Sequence, residues 1–433
     1  MSTRKAITRR ELLKGTGTAL LGTLLGRCAM ASMERTTRAQ DPTLTPGAYL
    51  PLVTSSESTP STPPAPTPTP GTPRVVHVYD PDATSWSGSG WYGNAVNQSV
   101  VDSMVQTGLQ DLTGQSSWAD IWNNIFSRVQ PSGYQVGQKI ALKVNLNNSG
   151  EGCGDNDTEI DALPQPVKAL IAGLKQAGVH EQDIWIYDAT KGGRYIPDRF
   201  RTPILNSHPN VIFYGKGSCA DVNPATYDHI DASLEIQFSD PDGNLQSRWL
   251  PDLLHEVTYL INLPILKEHG IHPVSLGFKN HFGSINRVVG AGNNDLHCYI
   301  SPLDPLYEST YSPLVDINSH PIIKNKTVLT IGDGLYGAPG ANRSPVPWST
   351  FDNDYPNSFF FATDPVAIDC VMADFVKAEW PGGIMDQVHD YLFCAQEAGL
   401  GICEGTRASP GGDPWQPPYG SGYSDIQYVR IDL

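Results

Sequence analysis

The chain has 433 residues, with 29 Lys and Arg against 45 Asp and Glu, a formal net charge of −16. A balance of that sign argues against nucleic acid or an anionic membrane surface as the main partner. The first 73 residues differ in composition from the rest of the chain, which excludes a single folded unit beginning at residue 1.

Thr8-Arg9-Arg10-Glu11-Leu12-Leu13-Lys14 is a twin-arginine pattern, followed by a weakly apolar run from Thr16 to Leu25 and by the small-x-small triplet Ala29-Met30-Ala31. Residues 1–31 are therefore expected to be a twin-arginine signal peptide, cleaved after Ala31. Arg27 stands where a lipoprotein signal ending at Cys28 would carry a small residue. The expected partner is the twin-arginine export machinery, and the expected location is periplasmic, cell-surface or extracellular. The apolar run falls short of the roughly 20 residues a membrane span needs, so no transmembrane helix is expected in the mature form. Export by this route moves folded proteins, often with a cofactor already bound, so a transition metal or an organic cofactor enters the expectations.

Residues 32–73 are rich in Pro, Thr and Ser, as in Ser61-Thr-Pro-Pro-Ala-Pro-Thr-Pro-Thr-Pro70. Such a segment buries no apolar surface, and proline keeps it extended, so it reads as a solvated linker. Residues 74–433 are enough for one large α/β domain.

Short apolar runs at Val75–Tyr79, Ile140–Leu146, Ile184–Tyr187, Val211–Tyr214, Tyr259–Leu263 and Val328–Ile331 are bounded by Gly, Asn, Asp or Pro, the pattern of buried parallel strands. Between the second and third, Val167, Leu170, Ile171 and Leu174 recur at helical spacing over Pro166–Gly178. Strand, helix, strand predicts a βαβ unit. Leu234–Phe238 and Leu245–Leu250, joined around Asp242-Gly243, predict an antiparallel hairpin. The fold class is α/β: a mostly parallel sheet flanked by helices, with an added β-hairpin.

Seven cysteines fall to six once Cys28 is removed, and an even number in an oxidising compartment permits three disulfides. Cys394 and Cys403 are the nearest pair and the first candidate for a bridge. No two cysteines have C-x-x-C spacing, so no iron–sulfur cluster is expected. Gly88-Ser-Gly-Trp-Tyr-Gly93 matches a dinucleotide fingerprint, but its aromatic residues crowd the turn. Asp155-Asn-Asp-Thr-Glu-Ile-Asp161 lacks the turn glycine and distal glutamate of a calcium loop.

The most informative stretch runs from Asn262 to Arg287. It packs Lys267, His269, His272, Lys279, His281 and Arg287 against one acid, Glu268, in an otherwise acidic chain. Amines and imidazoles hold anions, bind metals and shuttle protons. In parallel sheets ligands sit beyond the carboxyl ends of the strands, and three predicted strand ends are polar: Lys143-Val-Asn-Leu-Asn-Asn148, the Lys267–Arg287 run and Ile331-Gly-Asp-Gly334. Their convergence is the geometry a pocket requires. Asp364-Pro365 reads as a helix start. Asp369, among Val366, Ile368 and Val371, is a carboxylate in an apolar stretch and is expected to be either paired with a cation, such as Lys267 or Lys279, or functional.

Lys143-Val-Asn-Leu146, Ile261-Asn-Leu-Pro-Ile-Leu-Lys-Glu-His269, Val274-Ser-Leu-Gly-Phe-Lys-Asn-His-Phe-Gly283, Gly332-Asp-Gly334 and Asp364-Pro-Val-Ala-Ile-Asp369 occur in that order. Together they resemble the family catalogued as domain of unknown function 362. The resemblance implies the fold and the location of a site, and no reaction; the ferredoxin-type cysteine clusters of some members are absent here. A more distant likeness, carried by His269, Ser275, Gly277 and Lys279, is to the nickel-pincer lactate racemases, where the lysine tethers the cofactor. Phe278 and Asn280-His281-Phe282 depart from that pattern.

The expected function is that of an exported α/β enzyme acting on a small anionic compound, with a non-catalytic extracytoplasmic anion- or metal-binding protein as the alternative. Lys279, His269 and Asp333 are the candidate catalytic residues. Lys143, Asn145, Lys267, Ser275 and Asn280 are the candidate substrate contacts, and His269, His272 and His281 are candidate metal ligands.

Overall fold

The computed structural model describes residues 71–190, 194–286 and 292–433. The expected signal peptide (residues 1–31) and residues 32–70 of the expected linker lie outside the described residues, as does Arg287.

One sheet of nine strands organises the chain: β1 (Arg74–Tyr79), β2 (Lys139–Lys143), β3 (Ile184–Tyr187), β4 (Ile212–Gly215), β5 (Val222–Pro224), β6 (Val257–Asn262), β7 (Thr327–Gly334), β8 (Ser358–Ala362) and β9 (Gln427–Asp432). Their spatial order is β9-β1-β8-β7-β6-β2-β3-β4-β5. Only β8 runs antiparallel to its neighbours, β1 and β7; the remaining pairings are parallel. The six predicted strands are all present. The predicted hairpin survives as a two-residue ladder, Glu235–Ile236 against Arg248–Trp249, apart from the main sheet.

Alternation along each strand divides the core into two clusters. Ile140 and Leu142 of β2, Ile184 and Ile186 of β3, and Leu329 and Ile331 of β7 face one cluster. That layer is completed by α1 (Gln98–Thr113), α2 (Trp118–Phe126), α3 (Pro164–Gln176) and α4 (Asp198–Ser207). Ala141, Trp185 and Tyr187 face the other cluster, against α5 (Gly277–Asn280), α6 (Pro365–Glu379) and α7 (Asp390–Glu397). Strands covered on both faces read as continuous apolar runs, which is why they were legible. Helix α3 buries Val167, Leu170, Ile171 and Leu174 as one stripe and stops before Gly178, whose φ of 91° suits a glycine.

The topology fixes where a ligand can enter. From β2 the chain steps outward through β3, β4 and β5, then crosses back to lay β6 on the other side of β2. The reversal opens a crevice beyond the carboxyl ends of β2 and β6.

The cysteines pair differently from the expectation. Cys153 and Cys219 form a disulfide, with Cα atoms 5.4 Å apart. Cys394 and Cys403 are both free, because Cys403 turns to Cys370 while Cys394 meets the Ser309 carbonyl and Arg407. Arg199 reaches Asp155, Asp157 and Asp161 at 3.3–3.6 Å, so a guanidinium occupies the acidic loop. Trp91 and Tyr92 of the glycine-rich stretch pack on each other, and Tyr92 continues an aromatic group with Trp86 and Tyr336.

Candidate functional site

A cleft lies at the β2/β6 reversal. Lys143 ends β2, Asn145 and Asn147 follow it, Asp188 follows β3, and Ser275, Lys279, Asn280, Phe282 and Gly283 come from the segment after β6. His269, Thr190, Arg194 and His297 complete the wall. Of the five expected substrate contacts, Lys143, Asn145, Ser275 and Asn280 line the cleft and Lys267 does not.

Its floor is a connected polar network. Lys143 Nζ donates to the Val144 carbonyl and to Asn280 Oδ1 (3.2 Å), and lies 3.6 Å from Asp188 Oδ1. Burial lowers the Lys143 pKa, and Asp188 opposes that fall. Asn280 Nδ2 donates to Asn262 Oδ1 (2.7 Å) and to the Lys143 carbonyl (3.3 Å), stitching α5 to the ends of β2 and β6. The second oxygen of Asp188 accepts from Leu146 N at 2.9 Å. Gly283 lets this network close: a Cβ there would come within 2.4 Å of both Lys143 Nζ and Asp188 Oδ1.

Above the floor, Lys279 Nζ sits 4.1 Å over the Phe282 ring. The His269 and His297 rings stack with centroids 6.1 Å apart. Burial, and then the neighbouring Lys279, hold the His269 pKa well below the ordinary imidazole range, so the ring is neutral at pH 7. Arg194 donates to Asn147 Oδ1 at 2.8 Å. Three cationic side chains, Lys143, Arg194 and Lys279, thus share the cleft with one carboxylate, Asp188. Anions are held by such a wall of donors and positive charge.

Four predicted residues sit elsewhere. Asp333 shares the face of Leu329 and Ile331, opposite to that of Lys143, and looks into a small apolar cavity with Leu163, Leu263 and Phe359. Strand alternation therefore removes it from the cleft. Its backbone still serves the site, pairing with Pro264 and Leu266 where the chain leaves β6. Lys267 is fully buried and donates to the carbonyls of Ile160 and Ala341 (3.2 and 3.3 Å), tying two loops together. Burial lowers its pKa while Asp161 opposes that fall.

The three histidines do not gather. The chain reverses at Gly270 (φ 87°), with Glu268 bridged to Val274, so His269 and His272 are not on one helical face. His272 instead binds the Val274 carbonyl (2.7 Å) and faces a second cavity with Tyr307 and Tyr391. His281 directly follows α5 and meets Ser284 Oγ (3.1 Å). Burial lowers both pKa values to about 3. Asp369 also departs from the expectation of a lysine partner: its oxygens accept from Gly277 N (2.8 Å), Phe278 N (2.9 Å) and the Tyr391 hydroxyl (3.2 Å). It anchors the start of α5, which carries Lys279.

Sequence reasoning missed Asp188, Thr190, Arg194 and His297. Asp188 directly follows a predicted strand, so the strand-end rule could have found it. His297 carried no local signal.

A family model described as a domain of unknown function, number 362, matches residues 140–374, more than half of the chain. The chain belongs to this family. The matched span runs from β2 into α6 and so contains every cleft-lining residue. No curated protein and no solved structure matches the chain, so the likeness of Lys279 and its neighbours to the lactate racemases gains no support. Among the described residues, no helix is long and apolar enough to cross a membrane.

Proposed function

We propose that this family member is an exported α/β enzyme that acts on a small anionic compound held in the β2/β6 cleft. The observation that carries the reading is the cleft's lining, three cations and several amides and hydroxyls against one carboxylate, in a chain of net charge −16. Lys279 and Arg194 supply positive charge to the anion, and Lys143 supports the floor through Asp188 and Asn280. Ser275 and Asn145 offer hydrogen bonds that orient it. His269, neutral in this setting, has the chemistry to take or return a substrate proton. The Cys153–Cys219 disulfide supports the export reading, since such bonds persist in oxidising compartments.

Thermal unfolding in the presence of inorganic phosphate, sulfate and small mono- and dicarboxylates tests the binding claim. At least one anion should raise the transition temperature of the wild type, and raise it less in Lys279→Gln. A flat response across the panel refutes it. A binding compound that is recovered chemically changed, with turnover lost in His269→Gln, supports an enzyme. Recovery unchanged favours the anion-binding alternative.

A further inference from the structure

Helix α6 carries a second chemical cluster, on which the cleft makes no demand. Cys370 and Asp374 stand one turn apart on α6, His389 immediately precedes α7, and Cys403 follows it. Cys370, Asp374 and His389 each present a ligand atom within 4.8 Å of the others. The Cys403 sulfur lies 3.4 Å from that of Cys370, and His389 Nε2 lies 2.9 Å from Asp374 Oδ1. Relative exposures of 0%, 6%, 1% and 1% for Cys370, Asp374, His389 and Cys403 place all four away from solvent.

The surroundings aim these atoms inward. Asp374 Oδ2 accepts from the Tyr423 hydroxyl (2.9 Å) and Gly412 N (3.0 Å), which leaves Oδ1 toward the cluster. Glu404 N donates to the Cys370 sulfur at 3.3 Å, and Cys403 N is fixed by Gln396 Oε1 at 2.7 Å. Gly411, at φ 84°, passes so close that a Cβ would stand 2.5 Å from Asp374 Oδ1 and 3.0 Å from His389 Nε2. The Nδ1 atom of His389 is buried without a hydrogen-bond partner. Hydrogen bonding alone thus leaves two buried thiols against each other beside an imidazole and a carboxylate, an arrangement with an unmet cost.

Two sulfurs, one imidazole and one carboxylate, all supplied by the protein and shielded from water, are the donor set of a closed zinc-type site. We propose that Cys370, Asp374, His389 and Cys403 form a four-ligand site for a zinc-class divalent cation. Binding would release both thiol protons to solvent and take the imidazole in its neutral form. With four protein ligands buried from solvent, the ion would be structural: it would fasten the segment after α6 to that helix. Because Asp369 of α6 holds Gly277 and Phe278, the same clamp steadies the helix that carries Lys279. The family match ends at residue 374, so two of the four ligands come from beyond it.

Cobalt titration of the reduced, chelator-treated full chain tests this. One Co²⁺ per chain should bind with a thiolate-to-cobalt charge-transfer band, lost in Cys403→Ser and retained in Cys394→Ala. In the wild type alone, Zn²⁺ should protect Cys370 and Cys403 from alkylation and leave Cys394 unprotected, a readout that survives if Cys403→Ser misfolds. Absence of the band, its retention in a folded Cys403→Ser, or equal alkylation of all three cysteines with Zn²⁺ present overturns the proposal. So does a Cys370–Cys403 disulfide in the purified protein that leaves no cobalt binding after reduction.

Discussion

Gly283→Ala tests the cleft floor with a single methyl group. The added Cβ would stand 2.4 Å from Lys143 Nζ and Asp188 Oδ1 and 2.7 Å from Lys143 Cε, whereas ordinary contacts lie near 3.5–4.0 Å. The two groups must therefore retreat by about 1 Å. They have little room, since their side chains are 1% and 4% exposed and Lys143 is also bonded to Val144 and Asn280. Overpacking of this kind costs about 1–3 kcal/mol. Stretching the ion pair beyond its 3.6 Å separation adds a fraction of the roughly 3–5 kcal/mol for breaking a buried pair. The expected total is roughly 2–4 kcal/mol, and anion affinity should fall about tenfold for each 1.4 kcal/mol lost at the site. Urea unfolding followed by tryptophan fluorescence, with an anion titration alongside, measures both. Gly154→Ala is the control, because nothing lies within 4 Å of its added Cβ. A Gly283→Ala protein within about 0.5 kcal/mol of wild type and with unchanged anion affinity would refute the reasoning.

Three further outcomes are expected. Asp369→Asn turns an amide donor toward one of the two backbone N–H groups that its oxygens accept from, so it should cost about 1–3 kcal/mol and weaken anion binding through α5; intact affinity in a folded variant would separate Asp369 from the cleft. Burial pushes the Asp333 carboxyl up to about 7, so the folded state keeps a proton that the unfolded chain loses near pH 4. The stability this group contributes is present below pH 4 and is lost as pH rises to 7. Asp333→Asn should therefore gain stability relative to wild type between pH 5 and pH 8, by at most about 1.4 kcal/mol per pH unit inside that window; an equal difference at both pH values contradicts the assignment. Changing Arg9 and Arg10 together to Lys should leave the chain in the cytoplasm, whereas the exported wild type should begin at Ser32 on N-terminal sequencing.

The parts of the fold legible in the sequence were those whose burial is local in origin. Ile184–Tyr187 is apolar throughout because both faces of the strand are covered, and Asp364-Pro365 caps α6 as such a pair should. The run Ser358–Ala362 was passed over, although its three phenylalanines serve both core clusters: Phe359 and Phe361 on one face, Phe360 on the other. β9, at the sheet edge, is only partly buried and gives a weaker apolar signal.

The site was legible in position and only partly in membership. A run of cations after a central strand marked the cleft, because the topology places that segment at the reversal. Which side each residue faces depended on the turn at Gly270 and on the register of β7, and neither is visible in spacing alone. Thus Lys143 and Lys279 entered the cleft while Lys267, His272, His281 and Asp333 became supports for its walls. The metal-ligating set escaped notice because Cys370 and Asp374 lie on one helix while His389 and Cys403 return to it from later loops.

The most direct measurement is the anomalous scattering of crystals of the protein soaked in selenate. A selenium peak is expected in the β2/β6 cleft, within hydrogen-bonding reach of Lys279, and it should disappear in Lys279→Gln. No peak in the cleft, or one that persists in that variant, would contradict the claim that this cleft is an anion site.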